Sequence, residues 1–336
     1  MSDTPKATPD EFPKTVTSEK HASILKQLLK SREMTLVFIV AGTFILFSLA
    51  MPAFLTFDNL RSISAGMGYE LLLASGMCLI LILSGIDLSV GSVLALTSVV
   101  IALMLRNGVP VMLGIMGGLA LSCALGTING IGVAYLRIPP FIVTLGMLSI
   151  ARGLATVLTS GYELTGLPDS YIAIGQAELF NIPIYIYVVL VIVVVFDLLL
   201  RFWKPLHNAF YVGHNIEAAE LSGIHTKLII MSGYAIISTL AGIAAIIISA
   251  KIRMGYAGFG QGAELTAIAS AVIGGASFFG GYGTVLGACL GVVFLAIVNN
   301  AFVLAGLNTN WQYVISGVTL VLFLAINAIS RRGERE

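Results

Sequence analysis

Five ionisable residues lie inside otherwise apolar stretches of the sequence: Glu70, Asp87, Arg152, Asp197 and Glu264. Such groups are candidates for function, because a carboxylate or guanidinium in an apolar setting can bind a polar solute or pair with another charge. No pair of these carboxylates has a nearby histidine or nucleophile at helical spacing. The pattern therefore predicts no catalytic site, no metal site and no cofactor, and the protein is not expected to be an enzyme.

Two of these charges have different expected partners. Asp197 precedes Arg201 by one helical turn, which predicts a local ion pair. Arg152 lies in the middle of an apolar stretch and is expected to need a carboxylate partner or a polar cavity.

The segment 84–92, SGIDLSVGS, predicts a break between two helices. Gly85 would end the first helix, Asp87 could accept backbone N–H groups at the start of the second, and Gly91 would let another backbone approach closely. A helix cap is one explanation of Asp87, and a carboxylate that faces a substrate is the other. The sequence alone leaves both open.

The glycine-rich segment 262–291 predicts bent and closely packed helices. No Gly-Lys-Ser/Thr occurs in the chain, so nucleotide binding by this chain is not expected. Gly283, Gly287 and Gly291 repeat every four residues, as Gly126 and Gly130 do, and small residues at this spacing favour close helix packing.

Composition places all these residues in a membrane protein. Of 336 residues, 57% are hydrophobic and 10% are charged, which excludes a soluble multidomain enzyme. The net charge of +1, without any block of like charges, argues against nucleic acid as a partner. Ten stretches are long and apolar enough to be spanning helices: 34–52, 64–84, 88–105, 110–136, 140–159, 184–203, 227–250, 264–279, 283–305 and 311–330.

An even number of spans places both termini on one side, and basic residues near both ends put that side in the cytoplasm: Lys26, Lys30, Arg32, Arg331, Arg332 and Arg335. Five spans on each side of a central polar interval imply two oppositely oriented halves, as in an inverted repeat. The predicted units are a cytoplasmic tail with an interfacial helix at 1–33, a first half at 34–203, a cytoplasmic loop at 204–226, a second half at 227–330 and a tail at 331–336.

Short sequence matches between the two halves favour the inverted repeat. Asp87-Leu88-Ser89 matches Glu264-Leu265-Thr266, and Asn129 matches Asn299. The two halves thus provide a candidate translocation pathway, whose polar residues are Asp87, Ser89, Asn129, Arg152, Glu264 and Asn299. The longest external loop, at 160–183, has acidic residues and no basic one, which makes it a natural contact surface for an external partner.

The central polar interval predicts one short helix outside the membrane. Asn215 can cap it, Glu217 lies in its first turn, where the helix dipole favours an anion, and Gly223 can end it. A two-turn helix is not stable alone, so this one is expected to dock on a partner.

Several of these motifs resemble a known family. GIDLSVG at 85–91 resembles a signature of the ribose-type sugar permeases, the membrane subunits of bacterial ATP-binding-cassette importers, and so do FIVTLG at 141–146 and Ala151-Arg152-Gly153. The segment 262–291 is similar to the second hallmark of that family, although Thr266 stands where it usually has aspartate. Glu217-Ala218-Ala219, followed by Gly223, resembles the loop by which such permeases bind their ATPase. The resemblance covers residues 35–329.

The resemblance implies an all-α integral protein of the bacterial inner membrane, with about ten spans in two inverted five-helix halves and with discontinuous helices. Its expected function is translocation of a monosaccharide or polyol, with lipid around it and with three partners: a cytoplasmic ATPase, a periplasmic sugar-binding protein and a second permease copy, identical or related. ATPase coupling is expected at Asn215, Glu217, Ala218, Ala219 and Gly223. An ion-coupled secondary transporter is the alternative, because broken helices and inverted repeats occur there too.

Overall fold

The structure, a computed structural model, describes residues 32–307 and, beyond them, the single positions 311, 314, 317, 318 and 321. Almost all of the predicted unit 1–33, most of the tenth predicted span and the tail at 331–336 lie outside the described residues. Within 32–307 the helices are α1 (Arg32–Ala50), α2 (Phe57–Ile82), α3 (Val90–Arg106), α4 (Val111–Ala134), α5 (Pro140–Thr159), α6 (Asp169–Gln176), α7 (Ile184–Phe202), α8 (Lys204–His214), α9 (Ile216–Leu221), α10 (Thr226–Ile252), α11 (Ala263–Ile273) and α12 (Val285–Leu304). Two short strands, β1 (Glu178–Leu179) and β2 (Ile182–Pro183), pair antiparallel between α6 and α7.

Seven of the described helices are long and apolar enough to cross a membrane: α1, α2, α4, α5, α7, α10 and α12. The apolar helices α3 and α11 have only 17 and 11 residues, and each follows a non-helical segment. The eighth predicted span, 264–279, is too long, since α11 ends at Ile273 and a turn follows. The chain is therefore a mostly helical, multi-span protein, while the total of about ten spans and the inverted halves stay predictions.

The core forms around α2 and α10. Residues 71–83 are buried, and α10 packs against α2, α3 and α4. A Cβ added to Gly126 of α4 would lie 2.3 Å from the carbonyl oxygen of Tyr234, and one added to Gly130 would lie 2.6 Å from the Cα of Met231. Only glycine permits so close an approach of α4 and α10, which confirms the predicted packing role of this glycine pair.

Helices α11 and α12 approach each other in the same way. A Cβ on Gly287 would lie 2.1 Å from the carbonyl oxygen of Gly274, and one on Gly291 would lie 2.0 Å from that of Ser270. The predicted packing role is likewise confirmed for Gly287 and Gly291, whereas Gly283 precedes α12 and lies near the side chains of Ile82 and Cys78.

The polar interval at 204–226 contains two helices, of which sequence analysis predicts only α9. Helix α8 forms because Leu206, Ala209 and Val212 recur at helical spacing and bury one face. Its C-terminal end, at Gly213, lies against the end of α2, since an added Cβ there would lie 1.6 Å from the carbonyl oxygen of Ile82.

Candidate functional site

Asp87, Ser89 and Asn129 form one buried polar cluster, and each is 0% exposed. Asp87 Oδ1 accepts hydrogen bonds from the backbone N–H of Ser89 at 2.8 Å and from the Ser89 hydroxyl at 2.6 Å. The side-chain amide of Asn129 donates to Ser89 Oγ at 2.9 Å. Within the described part of the chain, Asp87 Oδ2 and Asn129 Oδ1 have no hydrogen-bond partner, so both oxygens can still accept one.

Asp87 accepts a backbone N–H before α3, as predicted, but it is not the N-cap residue of that helix. The N-cap residue of α3 is Ser89, whose side chain makes no capping bond, and Asp87 lies two residues before it. Asp87 therefore shapes the non-helical segment in front of α3, as an aspartate does when it bonds to backbone two residues further on. The same segment is held by α10, because the carbonyl oxygen of Ile86 accepts from the Tyr234 hydroxyl at 3.3 Å.

The starts of α3 and α11 meet at two glycines. A Cβ added to Gly91 would lie 2.0 Å from the carbonyl oxygen of Gly260 and 2.7 Å from Glu264 Oε2. Gly260 has φ of 65°, and a Cβ added to it would lie 2.7 Å from the carbonyl oxygen of Gly91. The half-buried Glu264, in the first turn of α11, is thereby placed beside the start of α3, where the helix dipoles favour a carboxylate.

Arg152 of α5 binds the segment that leads into α11. Its Nη1 donates to the carbonyl oxygen of Ala257 and, at 2.8 Å, to that of Phe259. Glu264 attracts it electrostatically. Among the described residues, however, the ion pairs within 4 Å are Arg61–Glu178 and Arg201–Asp197, the latter at 2.7 Å. Of the two expectations for Arg152, a carboxylate partner is not found within 4 Å in the described part of the chain, and two backbone carbonyls bind its guanidinium instead. The predicted Asp197–Arg201 pair is confirmed.

Asn299 is not joined to this group. It lies on α12, which packs against α1, α2, α7 and α11, and its Oδ1 has no partner in the described part of the chain. Its neighbour Asn300 instead forms a reciprocal amide pair with Asn59, with N–O distances of 3.0 and 2.8 Å. Sequence analysis misses this pair, although the adjacent asparagines in an apolar helix mark the place.

The predicted caps of α9 are confirmed. Asn215 Oδ1 accepts from the backbone N–H of Ala218 at 2.9 Å, and Gly223 adopts φ of 81°. The N–H of Gly223 donates to the Glu220 carbonyl at 2.9 Å, and the N–H of Ile224 donates to the Ala219 carbonyl at 3.0 Å. These two bonds form a Schellman motif, so local sequence defines both ends of α9. Glu217 lies in the first turn, and Ala219 is the buried residue of the helix.

A second polar region shares no residue with the Asp87 cluster. It is a cavity of about 430 Å³ whose lining includes Asp58, Arg61, Ser62, Gln176, Glu178, Tyr185 and Lys251. The Arg61–Glu178 ion pair joins α2 to β1. Nearby, the buried Tyr171 of α6 bonds to Ser249 Oγ at 2.6 Å, and burial raises the pKa of Tyr171 to about 12. This phenol therefore stays protonated at neutral pH and anchors α6 on α10.

The arrangement places groups that can bind a polar solute between helices. Among the described residues, no three metal-ligating side chains come together. Two non-helical segments meet inside a helical bundle, with buried polar groups beside them. Irregular backbone at membrane depth is tolerated where it is enclosed by protein or lines a cavity.

A comparison with known protein families shows to which family this chain belongs. Residues 60–324 match the family described as the permease component of the branched-chain amino acid transport system. The chain belongs to this permease family. It is accordingly a multi-pass membrane permease, and the family resemblance drawn from its motifs is confirmed.

Individual relatives are similar to this permease over most of their length. It is 31% identical over 283 residues to the D-allose transport system permease protein of Escherichia coli strain K12, covering 84% of this chain and 87% of the relative. It is 32% identical over 308 residues to the autoinducer 2 import system permease protein of Enterobacter sp. strain 638, covering 92% and 90%. It is 33% identical over 288 residues to the ribose import permease protein of Escherichia coli strain K12, covering 82% and 87%. No solved structure matches the chain.

Proposed function

We propose that this permease is the membrane subunit of an ATP-binding-cassette importer that translocates a monosaccharide or polyol. The observation that carries the proposal is the meeting of two broken helices at Gly91 and Gly260, with the buried Asp87 cluster on one side and Glu264 on the other. The names of the relatives, which refer to D-allose and ribose, support a sugar as the substrate.

The proposed topology has ten spans in two inverted halves, with both termini in the cytoplasm of a bacterium and the protein in its inner membrane. Helices α8 and α9 then lie in the cytoplasm, and a separate ATPase docks on α9. A periplasmic sugar-binding protein docks on the external loop, whose acidic residues are Glu163, Asp169 and Glu178. A second permease copy, identical or related, completes the pathway within the lipid bilayer.

Asp87, Ser89, Asn129, Arg152, Glu264 and Asn299 are proposed as the polar groups of the pathway. The burial of Asp87 and its neighbours supports a role in which the pathway opens beside them during the transport cycle, because their unpartnered oxygens can accept hydrogen bonds from sugar hydroxyls. Arg152 and Glu264 are only half-buried, which supports a position closer to the pathway surface.

The ATPase contact predicts a large effect of Gly223→Val. Valine tolerates the left-handed region poorly, so the Schellman motif and the end of α9 should be lost while the spans still insert. We expect sugar uptake and sugar-stimulated ATP hydrolysis by the reconstituted complex to fall together. Gly108→Val is the control, because Gly108 has φ of 79° and, like Gly223, no atom within 4 Å of an added Cβ.

Unchanged coupling in Gly223→Val would remove α9 from the ATPase contact. Uptake that continues without any ATPase would favour the secondary transporter instead.

The proposed topology predicts from which side of the membrane a thiol reagent can reach each loop. Ser222→Cys and Ser170→Cys place single thiols at exposed positions in a chain whose native cysteines have been replaced. A membrane-impermeant maleimide should label Ser170→Cys in cells with a permeable outer membrane, and Ser222→Cys only in inverted vesicles. The reverse pattern would overturn the topology.

A further inference from the structure

Ser84 lies in a backbone conformation that a serine adopts at a cost. Its φ is 60°, in the left-handed region, and it follows the end of α2. The N–H of Ser84 donates to the Leu81 carbonyl at 2.9 Å, and the N–H of Gly85 donates to the Ile80 carbonyl at 2.9 Å. These bonds form a Schellman motif in which Ser84 takes the position that usually belongs to glycine. Sequence analysis expects Gly85 to end this helix, but the left-handed residue is Ser84.

The hydroxyl of Ser84 explains why a serine stands there. Ser84 Oγ lies 2.9 Å from the carbonyl oxygen of Gly213, at the end of α8, and 3.1 Å from that of Phe279, in the turn after α11. Both carbonyls are within reach of its single hydrogen. The last carbonyl groups of a helix need a partner from outside it, and Ser84 supplies one for α8.

Backbone contacts join the same three segments. The N–H of Gly281 donates to the Ile82 carbonyl at 2.9 Å. A Cβ added to Gly280, whose φ is 87°, would lie 1.8 Å from Ser84 Oγ and 2.5 Å from the carbonyl oxygen of Gly213. The three backbones therefore lie in close contact around the Ser84 hydroxyl, and glycines stand at the two nearest positions, 213 and 280.

The three segments lead to different functional parts. Helix α8 continues directly into α9 through Asn215, the segment after Ser84 leads to Asp87 and α3, and the turn at 274–284 links α11 to α12. We propose that Ser84 is a positioning residue that transmits movement of α8 and α9 to both broken helices at once. This inference rests on the proposed function, since it takes the ATPase to act through α9.

The variant Ser84→Gly tests whether Ser84 transmits movement between the helices or only supports folding. Glycine keeps the left-handed backbone without its steric cost and removes only the hydroxyl. In the complete complex, reconstituted with its ATPase and binding protein, we expect a thermal unfolding midpoint equal to or above that of the wild type. ATP hydrolysis should continue, while the amount of sugar transported per ATP hydrolysed falls roughly fivefold or more. A factor of about five is the lower end of the range usual for coupling between distant sites.

Ser160→Gly is the matched control. Ser160 also has a positive φ, of 50°, at the end of α5, and its hydroxyl makes no hydrogen bond in the described part of the chain. The same substitution there should relieve the same strain and leave the ratio of transport to hydrolysis unchanged.

The transported probe is the sugar, from a panel that includes ribose and D-allose, for which the wild type shows the fastest ATP-dependent uptake. The role of Ser84 would be overturned if Ser84→Gly transported as much sugar per ATP as the wild type, or if it lost stability, ATP hydrolysis and transport equally. Either result would leave the proposed function intact. Absence of ATP-dependent uptake of any sugar by the wild-type complex would defeat the proposed function and this inference with it.

Discussion

Gly91→Ala is expected to abolish transport and to lower the stability of the protein, although alanine is the better helix former. Alanine gains about 1 kcal/mol over glycine inside a helix. The new methyl group would, however, lie 2.0 Å from the carbonyl oxygen of Gly260 and 2.7 Å from Glu264 Oε2. Overpacking of this kind costs about 1–3 kcal/mol and more where backbone must move. The steric cost is therefore expected to exceed the gain.

Gly42→Ala is the control for this prediction. Gly42 lies within α1, and an added Cβ there meets no atom within 4 Å. Its substitution should leave the thermal unfolding midpoint in detergent unchanged or higher and uptake unaffected. If Gly91→Ala unfolds at the same temperature as Gly42→Ala and transports normally, the two broken helices do not meet at this glycine pair.

Asp87→Asn and Asp87→Leu are expected to separate a role in the pathway from a role in folding. Asparagine keeps an oxygen that can accept from the N–H and hydroxyl of Ser89, so the folded protein should lose little stability. Its amide also adds a donor to a cluster in which Asn129 Oδ1 has no partner in the described part of the chain. Uptake should nevertheless fall, because the carboxylate charge and one acceptor oxygen are lost.

Leucine at position 87 should damage both folding and transport. It leaves the buried N–H and hydroxyl of Ser89 without their acceptor, which costs about 1–3 kcal/mol for each unsatisfied group. Expression, the thermal unfolding midpoint and initial uptake rates of both variants provide the comparison. Normal uptake by Asp87→Asn, together with failed assembly of Asp87→Leu, would make Asp87 a purely structural residue and remove it from the pathway.

Local features of the fold follow from the sequence because their causes are local. Asn215 and Gly223 define α9 through bonds that reach no further than five residues along the chain. The Asp197–Arg201 pair spans one helical turn, and the seven long helices follow from the length of their apolar stretches. The sequence does not predict α8, because its buried face consists of only a few small and aliphatic residues among polar ones.

The candidate site depends on contacts between residues far apart in the chain. Ser89 and Asn129 are 40 positions apart, Arg152 and Phe259 are 107 apart, and Ser84 and Gly213 are 129 apart. Sequence spacing cannot select such partners, since many polar groups could satisfy each one. It therefore leaves Arg152 with either a carboxylate partner or a polar cavity, where the fold supplies two backbone carbonyls, and it does not identify Ser84 as the left-handed residue after α2.

By itself, the sequence determined that this chain spans a membrane, where most of its helices lie, how α9 is capped and to which permease family it belongs. Hydropathy, capping and motif identity are properties of short stretches, so they can be read without the fold. The tertiary structure alone decided that Gly91 meets Gly260, that Asp87 is buried with Ser89 and Asn129, and that Ser84 joins α8 to both broken helices. These features arise from contacts between segments far apart in the chain, and such contacts depend on how every helix between them packs.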